Sequence, residues 1–280
     1  MNAFKDKVAI VTGAASGIGR SLCQELSRHG AMLVVADINA QGASQLASDL
    51  VRSGGRATAA HLDVSRIEEV QAVIDKTVSE YGRLDYMFNN AGIGVAGEVR
   101  DLDIDHWRRI VDINVWGVIC GTTSAYSVMV KQGFGHIVNT ASLAGLIGYP
   151  TMTPYSTTKF AVVGLSTSLR AEAKGLGVKV TAVCPGFVQT GIFASAETVR
   201  VTMEDLLAKL PFKPIDATKA AQIILRGVAR NKAIVVFPLY GRVVWWLRRL
   251  HWALGNPLDA KTVRDFRKSR AETQDKTQIV

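Results

Sequence analysis

The amino-acid sequence predicts a single α/β domain, with a doubly wound, mostly parallel sheet and helices on both of its faces. Short runs rich in β-branched residues alternate with longer helical patterns from Lys7 to Phe237. The runs are continuously apolar rather than alternating, which is typical of strands that helices cover on both sides. A chain of 280 residues, 48% hydrophobic and 20% charged, can also bury one large core and is too apolar to be disordered.

The predicted elements alternate between strand and helix along the whole domain. Gly30 and Gly82 end two of the helices, since glycine readily adopts the left-handed conformation that follows many helix C-termini. The segment 105–133 is predicted to form one long helix. The strands are predicted at 7–13, 32–37, 56–64, 84–92, 135–142, 178–186 and 233–237, and the helices at 17–30, 40–54, 67–82, 105–133, 155–177 and 217–231.

Three features of the sequence bear on the cellular location of the protein: its N-terminus, its hydropathy and its cysteines. The residues "NAFKD" lead directly into the first strand, so no signal peptide is expected. No run of about 18 uninterrupted apolar residues occurs, so no membrane-spanning helix is expected. Cys23, Cys120 and Cys184 lie far apart without a C-x-x-C motif, which argues against a disulfide framework. These observations predict a cytoplasmic protein with reduced thiols.

The net charge of +9 is concentrated near the C-terminus. Residues 1–225 carry 21 Lys and Arg against 20 Asp and Glu, whereas residues 226–280 carry 12 against 4. The near-neutral domain argues against nucleic-acid binding through a basic face. No repeat or linker precedes Pro238, so we divide the chain into a domain at 1–238 and a basic, Trp-rich extension at 239–280.

Three glycines, Gly13, Gly17 and Gly19, lie between the first strand and the first helix in "VAIVTGAASGIGR". Glycines there permit a tight turn and let backbone N–H groups approach a pyrophosphate at the positive end of the helix. The second strand ends in Asp37, whose carboxylate could accept hydrogen bonds from a ribose diol and would repel a 2′-phosphate. A purely structural glycine turn with a surface aspartate is the alternative at this point.

Seven motifs follow one another along the chain. They are TGAASGIG at 12–19, the pair Asp63–Val64, NNAG at 89–92, Asn114 in DINVWG, Ser142 in NTAS, YSTTK at 155–159 and PGFVQT at 185–190. In this order they resemble the short-chain dehydrogenase/reductase family, from about Val8 to Thr190. The resemblance implies a Rossmann-like seven-stranded sheet and a homodimer or homotetramer. It implies a cofactor site at Thr12, Gly13, Ser16, Gly17, Ile18, Gly19, Asp37, Asp63, Val64, Asn90, Ala91, Gly92, Tyr155, Lys159, Pro185, Gly186, Val188 and Thr190.

Tyr155 and Lys159 are spaced i, i+4, which places both side chains on one face of a helix. A free tyrosine, with a pKa of about 10, is a poor base near neutral pH. The nearby ammonium group is expected to lower the pKa of Tyr155 by stabilising the phenolate, and a bound oxidised nicotinamide would add positive charge. The resemblance implies that Tyr155 is the general acid/base and that Lys159 also holds the nicotinamide ribose. It further implies that Ser142 hydrogen-bonds the substrate oxygen and that Asn114 holds a water in the proton relay.

The predicted function is hydride transfer between NAD(H) and a hydrophobic secondary alcohol or ketone, which could be steroid-like, retinoid-like or fatty-chain. Relatives that prefer NADP tend to carry Arg or Lys in the glycine loop or after the second strand. Here Ser16 and Ile38 occupy those places, which predicts NAD(H) rather than NADP(H). The alternative is a catalytically silent, dinucleotide-sensing regulator, although such a protein would usually have lost part of the catalytic set.

Apolar segments surround the predicted substrate pocket, including a lid over about 187–215. The same side chains could instead simply pack the lid against the domain. The five histidines show no metal-ligand spacing, so no metal site is predicted. The predicted substrate-binding residues are Ser142, Leu143, Tyr149, Tyr155, Phe187 and Phe193.

The segment 240–254 reads as an amphipathic helix. Its apolar stripe is formed by Val243, Leu247, Leu250 and Leu254, and the opposite side carries Arg248 and Arg249 flanked by Trp245 and Trp252. Three interpretations stay open: a stripe buried against the domain or a neighbouring subunit, a helix in an anionic membrane interface, or an arm that contacts a protein partner. The polar residues 265–280 are expected to be frayed.

Overall fold

Seven parallel strands form one sheet in the computed structural model, which describes residues 2–190, 196–208 and 213–278. The spatial order is β7-β6-β5-β4-β1-β2-β3, and every registered pair in this sheet is parallel. The seven-stranded, Rossmann-like architecture is thereby confirmed. The strands are β1 (Val8–Thr12), β2 (Met32–Asp37), β3 (Arg56–His61), β4 (Tyr86–Asn89), β5 (Gly135–Thr140), β6 (Val178–Pro185) and β7 (Ile234–Phe237).

Helices cover both faces of the sheet, as the continuous apolar runs predict. One core cluster joins side chains of α1, α2 and α8, including Leu22, Leu46 and Ile224, to one face. A second cluster joins α3 and α5, through Ile74 and Met129, to the other face. The helices of the domain are α1 (Gly17–Arg28), α2 (Ala40–Arg52), α3 (Ile67–Tyr81), α4 (Ile104–Val111), α5 (Gly117–Gln132), α6 (Thr153–Glu172), α7 (Met203–Ala208) and α8 (Ala217–Ala229).

The order of the strands reverses at β1, which pairs with β2 on one side and with β4 on the other. The chain therefore leaves the sheet in opposite directions at the carboxyl ends of these strands, which opens a crevice there. The loops that follow β1 and β4 meet at this crevice, because Thr12 bonds to the backbone of Asn90 and Ala91. The fold thus places the glycine loop and the NNAG segment side by side.

The predicted long helix runs from Ile104 to Gln132 without a break, but it contains a π turn at Asp112–Trp116. Hydrophobic periodicity does not reveal a single wide turn, so the sequence analysis missed it. By length and composition this helix could cross a membrane, with a mean hydropathy of 1.2 over its most apolar window, half of which is buried. Its buried residues include Val118, Ala125 and Met129, so it is also a core helix of the domain.

The C-terminal extension forms two helices, α9 (Leu239–Leu250) and α10 (Asn256–Gln278), joined by a 3-10 turn at Trp252–Gly255. The expectation that residues 265–280 are frayed is wrong for residues 265–278, which belong to helix α10. Arg267 bonds Glu98 and Arg270 bonds Asp101, so charge pairing attaches α10 to the loop before α4. The division of the chain at residue 238 stays a prediction.

Two short parallel pairs lie outside the main sheet. Val188–Gln189 pairs with Ile215–Asp216, and Val95–Ala96 pairs with Glu197–Thr198. The first pair joins the two ends of the predicted lid to each other, and the second joins residues 197–198 within the lid to the loop that follows β4. The lid residues 191–195 and 209–212 lie outside the described residues.

Candidate active site

The loop between β1 and α1 is shaped by glycine at each predicted position. Gly13 and Gly17 have φ angles of 62° and 52°, a backbone conformation that glycine adopts without strain. A Cβ on Gly13 would lie 2.8 Å from the Cα of Ala91, and one on Gly19 would overlap the carbonyl oxygen of Gly13. The glycines therefore permit the tight turn and the close packing of this loop on the segment after β4 that a pyrophosphate cradle requires.

The N-terminus of α1 faces this loop. Ser16 is its N-cap residue and makes no side-chain capping bond, so no side chain among the described residues caps the helix. The first N–H groups of α1 can therefore bind an anion. Ile18 packs against the core and holds the first turn in place. The observed cradle fits the diphosphate of a dinucleotide.

Asp37 lies where β2 ends, at the edge of the same crevice. Its two carboxylate oxygens accept hydrogen bonds of 2.8 Å from the backbone N–H groups of Ala15 and Asn39. These bonds orient the carboxylate beside the glycine loop. The role of Asp37 as a ribose selector stays a prediction.

Asp63 and Val64 follow β3. Asp63 accepts bonds from the backbone and the hydroxyl of Ser65, and the hydroxyl bond lowers the pKa of this carboxyl below its ordinary value. Val64 packs so closely on the start of α5 that a Cβ on Gly117 would lie 2.7 Å from its Cγ2. Val64 thus lies beside the end of the π turn that carries Asn114.

The NNAG segment is tied to the end of β1. The hydroxyl of Thr12 accepts bonds of 3.0 Å from the N–H groups of Asn90 and Ala91, and the Asn90 amide donates to the carbonyl of Thr12 at 3.1 Å. A Cβ on Gly92 would lie 3.0 Å from Asn114 Oδ1 and 3.4 Å from Lys159 Nζ. Gly92 therefore forms the contact between the cofactor crevice and the candidate catalytic residues.

The PGFVQT segment closes the crevice from the other side. Pro185 ends β6, and the carbonyl of Pro185 accepts a long bond of 3.5 Å from the Ser142 hydroxyl. A Cβ on Gly17 would lie 3.0 Å from the Cβ of Thr190, so this segment reaches the glycine loop. Gly186 and Val188 lie between these two contacts.

The buried residues Ser142 and Lys159 form a cluster with the half-buried Tyr155. The Ser142 hydroxyl lies close enough to the Tyr155 phenol to act on its pKa. The Lys159 ammonium lies 5.5 Å from the centre of the Tyr155 ring and donates a bond of 3.0 Å to the carbonyl of Thr140. Ser142 also caps the short turn that follows, by accepting from the N–H of Ala144 at 3.1 Å. The sequence analysis grouped these three residues, and the fold brings them together.

Burial, rather than pairing, dominates the pKa values of this cluster. Desolvation raises the pKa of Tyr155, and the nearby Ser142 hydroxyl only partly opposes this effect. Desolvation lowers the pKa of Lys159 to about 8. The expectation that the Lys159 ammonium brings the pKa of Tyr155 below its ordinary value is therefore wrong. The cost of burying the phenolate is the larger effect, so further positive charge is needed to make the phenol a base.

Asn114 is fully buried in the π turn. Its Oδ1 accepts from the N–H of Ile93 at 2.9 Å, and its Nδ2 donates to the carbonyl of Ile93 at 2.9 Å and to the Thr158 hydroxyl at 3.2 Å. Both donors of the amide are thus used to hold the loop after β4 against α6. A water at this residue would have to bind the remaining lone pair of Oδ1 or the main chain.

The chain matches the family model described as short chain dehydrogenase over residues 7–200. The chain belongs to the short-chain dehydrogenase/reductase family. A solved structure of a short-chain dehydrogenase/reductase from Burkholderia phymatum in complex with NAD is similar, with a TM-score of 0.84 and 30% identity. The similarity covers 91% of this chain and 96% of that one.

Curated relatives of this short-chain dehydrogenase/reductase extend over different parts of the chain. A protein of Mycobacterium tuberculosis (strain CDC 1551 / Oshkosh) that carries the name oxidoreductase SadH is 35% identical over 95% of this chain and 98% of its own length. Cyclohexanol dehydrogenase of Acinetobacter sp. (strain SE19) is 37% identical over 70% of this chain and 78% of its own length. Borneol dehydrogenase of Lavandula x intermedia is 36% identical over 77% of this chain and 86% of its own length. The first similarity therefore includes much of the C-terminal extension.

Three of the predicted substrate-binding residues make contacts in the structure: Tyr149 and Phe187 contact each other, and Leu143 contacts α9. The rings of Tyr149 and Phe187 meet edge to face at 6.1 Å, and Leu143 packs against Gly241 at the start of α9. The sixth predicted residue, Phe193, lies outside the described residues. Among the described residues, no group of three or more His, Cys, Asp and Glu side chains could hold a metal.

Two contributors to the site were missed by the sequence analysis. Tyr240 accepts a bond of 3.2 Å from the N–H of Phe187, and a Cβ on Gly186 would lie 2.7 Å from its hydroxyl. Thr158, one position before Lys159, bonds Asn114. An aromatic residue two positions after the break at Pro238 was the available signal for Tyr240, but its contact depends on how α9 packs.

Proposed function

We propose that this protein is an NAD(H)-dependent oxidoreductase that acts on a hydrophobic secondary alcohol or ketone, with Tyr155 as the general acid/base. One observation carries the proposal: a half-buried tyrosine beside Ser142 lies next to a buried lysine and a glycine-lined crevice. The cyclohexanol and borneol dehydrogenases among the relatives support the class of substrate.

The chain supplies the proton chemistry of this reaction. Ser142 and Tyr155 hydrogen-bond the substrate oxygen, and in the oxidative direction the Tyr155 phenolate takes the hydroxyl proton. Lys159 holds a positive charge beside the phenol and binds the ribose hydroxyls, and Asn114 holds a water that passes the proton onward. The nicotinamide, when bound, supplies the hydride acceptor and a positive charge that opposes the effect of burial on the pKa of Tyr155.

NAD(H) is preferred because Asp37 stands at the ribose end of the crevice. A carboxylate held by two backbone N–H groups accepts hydrogen bonds from a 2′,3′-diol, whereas a 2′-phosphate would meet like charge. The relative from Burkholderia phymatum was solved with NAD, which supports the same cofactor here. NADPH bound about tenfold more tightly than NADH would contradict this proposal.

The substrate is hydrophobic because the described side chains on that side are apolar or aromatic. Leu143, Tyr149 and Phe187 offer no charged group that would bind a charged substrate. Burial raises the pKa of Tyr149, so its ring stays neutral. A compact or extended lipophilic alcohol, steroid-like, retinoid-like or fatty-chain, fits such a surface.

A homodimer or homotetramer is the proposed assembly. Trp116 in the π turn and Phe160 in α6 are both about half exposed, and the two elements pack against each other. Two large exposed side chains on adjacent elements favour a contact with another copy. Three buried free cysteines agree with a cytoplasmic location.

The test is a screen of lipophilic secondary alcohols with NAD, followed by the absorbance of NADH, on wild type and on Tyr155→Phe. Wild type is expected to turn over at least one of them. Tyr155→Phe should lose about a hundredfold or more in kcat while it keeps its affinity for NADH. NADH binding without any turnover in wild type would favour a dinucleotide sensor, and full activity in the variant would remove Tyr155 from the reaction.

A further inference from the structure

Helix α9 exposes an apolar face. Leu239, Val243, Trp246, Leu247 and Leu250 are each between 44% and 73% exposed. They follow the spacing i, i+4, i+7, i+8 and i+11, which places them on one side of the helix. Several large apolar side chains that are contiguous on a surface mark a site of interaction.

The opposite side of α9 is already packed on the domain. Tyr240 bonds the backbone of Phe187, and Gly241 is buried against Leu143. The helix therefore rests on the domain through one small and one aromatic residue and turns its leucines outward. The expectation that the stripe is buried against the domain is wrong, because this orientation leaves Val243, Leu247, Leu250 and Leu254 exposed.

The charges beside the apolar face are all positive. Arg242 and Arg249 each precede a residue of that face by one position, so both lie along the same border of it. Both are exposed, and among the described residues neither forms an ion pair. No Asp or Glu occurs between Asp216 and Asp259. An anionic surface with an apolar layer beneath it matches this pattern of charge.

A second copy of the chain matches the pattern less well. A two-fold contact presents the same patch from both subunits, so Arg242 and Arg249 of one copy would face those of the other without an acidic residue of α9. The guanidinium of Arg249 lies 5.4 Å from the Trp245 ring, an arrangement that suits the border between lipid headgroups and acyl chains.

We propose that α9 lies in the plane of an anionic lipid bilayer, with Leu239, Val243, Trp246 and Leu250 at the acyl boundary and Arg242 and Arg249 at the phosphates. Twelve residues are too few to span a bilayer, so the contact is peripheral. Because the other side of α9 contacts Phe187 through Tyr240, docking places the substrate side next to the lipid. This inference concerns binding only and does not depend on the proposed reaction.

The test is co-sedimentation of the full chain with vesicles of phosphatidylcholine mixed with phosphatidylglycerol, against vesicles of phosphatidylcholine alone. Wild type should bind the mixed vesicles, bind the neutral ones much less, and be released by salt. Val243→Glu/Leu250→Glu should lower the partition coefficient about tenfold or more. Val51→Glu is the matched control, since Val51 lies in α2 and is 51% exposed, as Val243 is.

Arg242→Gln/Arg249→Gln provides a second variant that leaves the apolar face intact. It should weaken binding to the mixed vesicles severalfold and reduce the effect of salt. Wild type that stays in the supernatant with both kinds of vesicle would overturn the proposal, and so would equal binding by the glutamate variant. A glutamate variant that changes the oligomer size by light scattering, with vesicle binding unchanged, would assign the face to a second copy instead.

Discussion

The Nζ atom of Lys159 lies 5.5 Å from the centre of the Tyr155 ring; the lysine side chain is buried and the tyrosine is half-buried. Burial raises the pKa of the phenol and lowers the pKa of the ammonium group to about 8, so each group is pushed towards its neutral form. A lysine that is charged at neutral pH in such a place destabilises the folded state. The candidate catalytic pair therefore lowers the free energy of unfolding, as is common for residues that are placed for catalysis.

We predict that Lys159→Met loses activity but is more stable than wild type near neutral pH. The lysine has a lower pKa when folded, about 8, than its ordinary 10.5, so its destabilising effect is complete below about pH 8. Between these values the unfolded chain holds more protons than the folded one, and the stability of wild type relative to the variant rises with pH. Urea unfolding at several pH values measures this difference.

The exposed Lys76 on α3 supplies the control for this series. Lys76→Met should leave the pH dependence of stability near that of wild type, because its ammonium group stays in water. An advantage of Lys159→Met that stays constant from neutral to alkaline pH would show that packing, and not the buried charge, causes it.

The sequence predicted the parallel sheet and the order of the site motifs because both leave local signals. Continuous apolar runs indicate strands covered on both sides, and Gly13 and Gly17 occupy positions with positive φ that favour glycine. The raised pKa of Tyr155 could not be predicted in this way. It depends on how deeply the fold buries the ring, and burial is a property of tertiary packing.

The C-terminal extension shows a second limit of sequence patterns. Periodicity located the apolar stripe of α9, yet it does not tell which side of a helix faces the domain, and Tyr240 and Gly241 decide that. In α10 the sequence is polar and lacks a clear stripe. Its attachment depends on Arg267 and Arg270, each of which pairs with an acidic residue 169 positions earlier in the chain.

We predict that Gly19→Ala weakens NADH binding about tenfold or more and destabilises the domain by about 1–3 kcal/mol. The added methyl group would overlap the carbonyl oxygen of Gly13, so the cradle must shift. Gly164→Ala is the matched control in helix α6, where a Cβ meets nothing within 4 Å. It should stabilise the protein by about 0.5–1 kcal/mol and leave NADH binding unchanged. Equal NADH affinity in both variants would show that the loop at Gly19 does not form the cofactor site.

We predict that Asp37→Ser changes the preference between the two cofactors. Loss of the carboxylate removes hydrogen bonds to a ribose diol and the repulsion of a 2′-phosphate, so the ratio of NADPH to NADH affinity should rise about tenfold or more. Fluorescence titration with both reduced cofactors measures it. Asp75→Ser on α3, whose carboxylate bonds Gln71, is the control and should leave the ratio unchanged. An unchanged ratio in Asp37→Ser would mean that another residue selects the cofactor.

We predict a measurable energetic coupling between Asp101 and Arg270, which join the loop before α4 to α10. Arg270 bonds both carboxylate oxygens, at 3.0 and 2.8 Å, and the side chains are only 9% and 23% exposed. A double-mutant cycle with Asp101→Asn and Arg270→Gln should give a coupling of about 1–3 kcal/mol in the free energy of unfolding. The same cycle on Asp105 and Arg108, which are mostly exposed, should show none that can be measured. If the first cycle shows no coupling either, the Asp101–Arg270 pair does not stabilise the attachment of α10, which would then depend on Arg267 and Glu98.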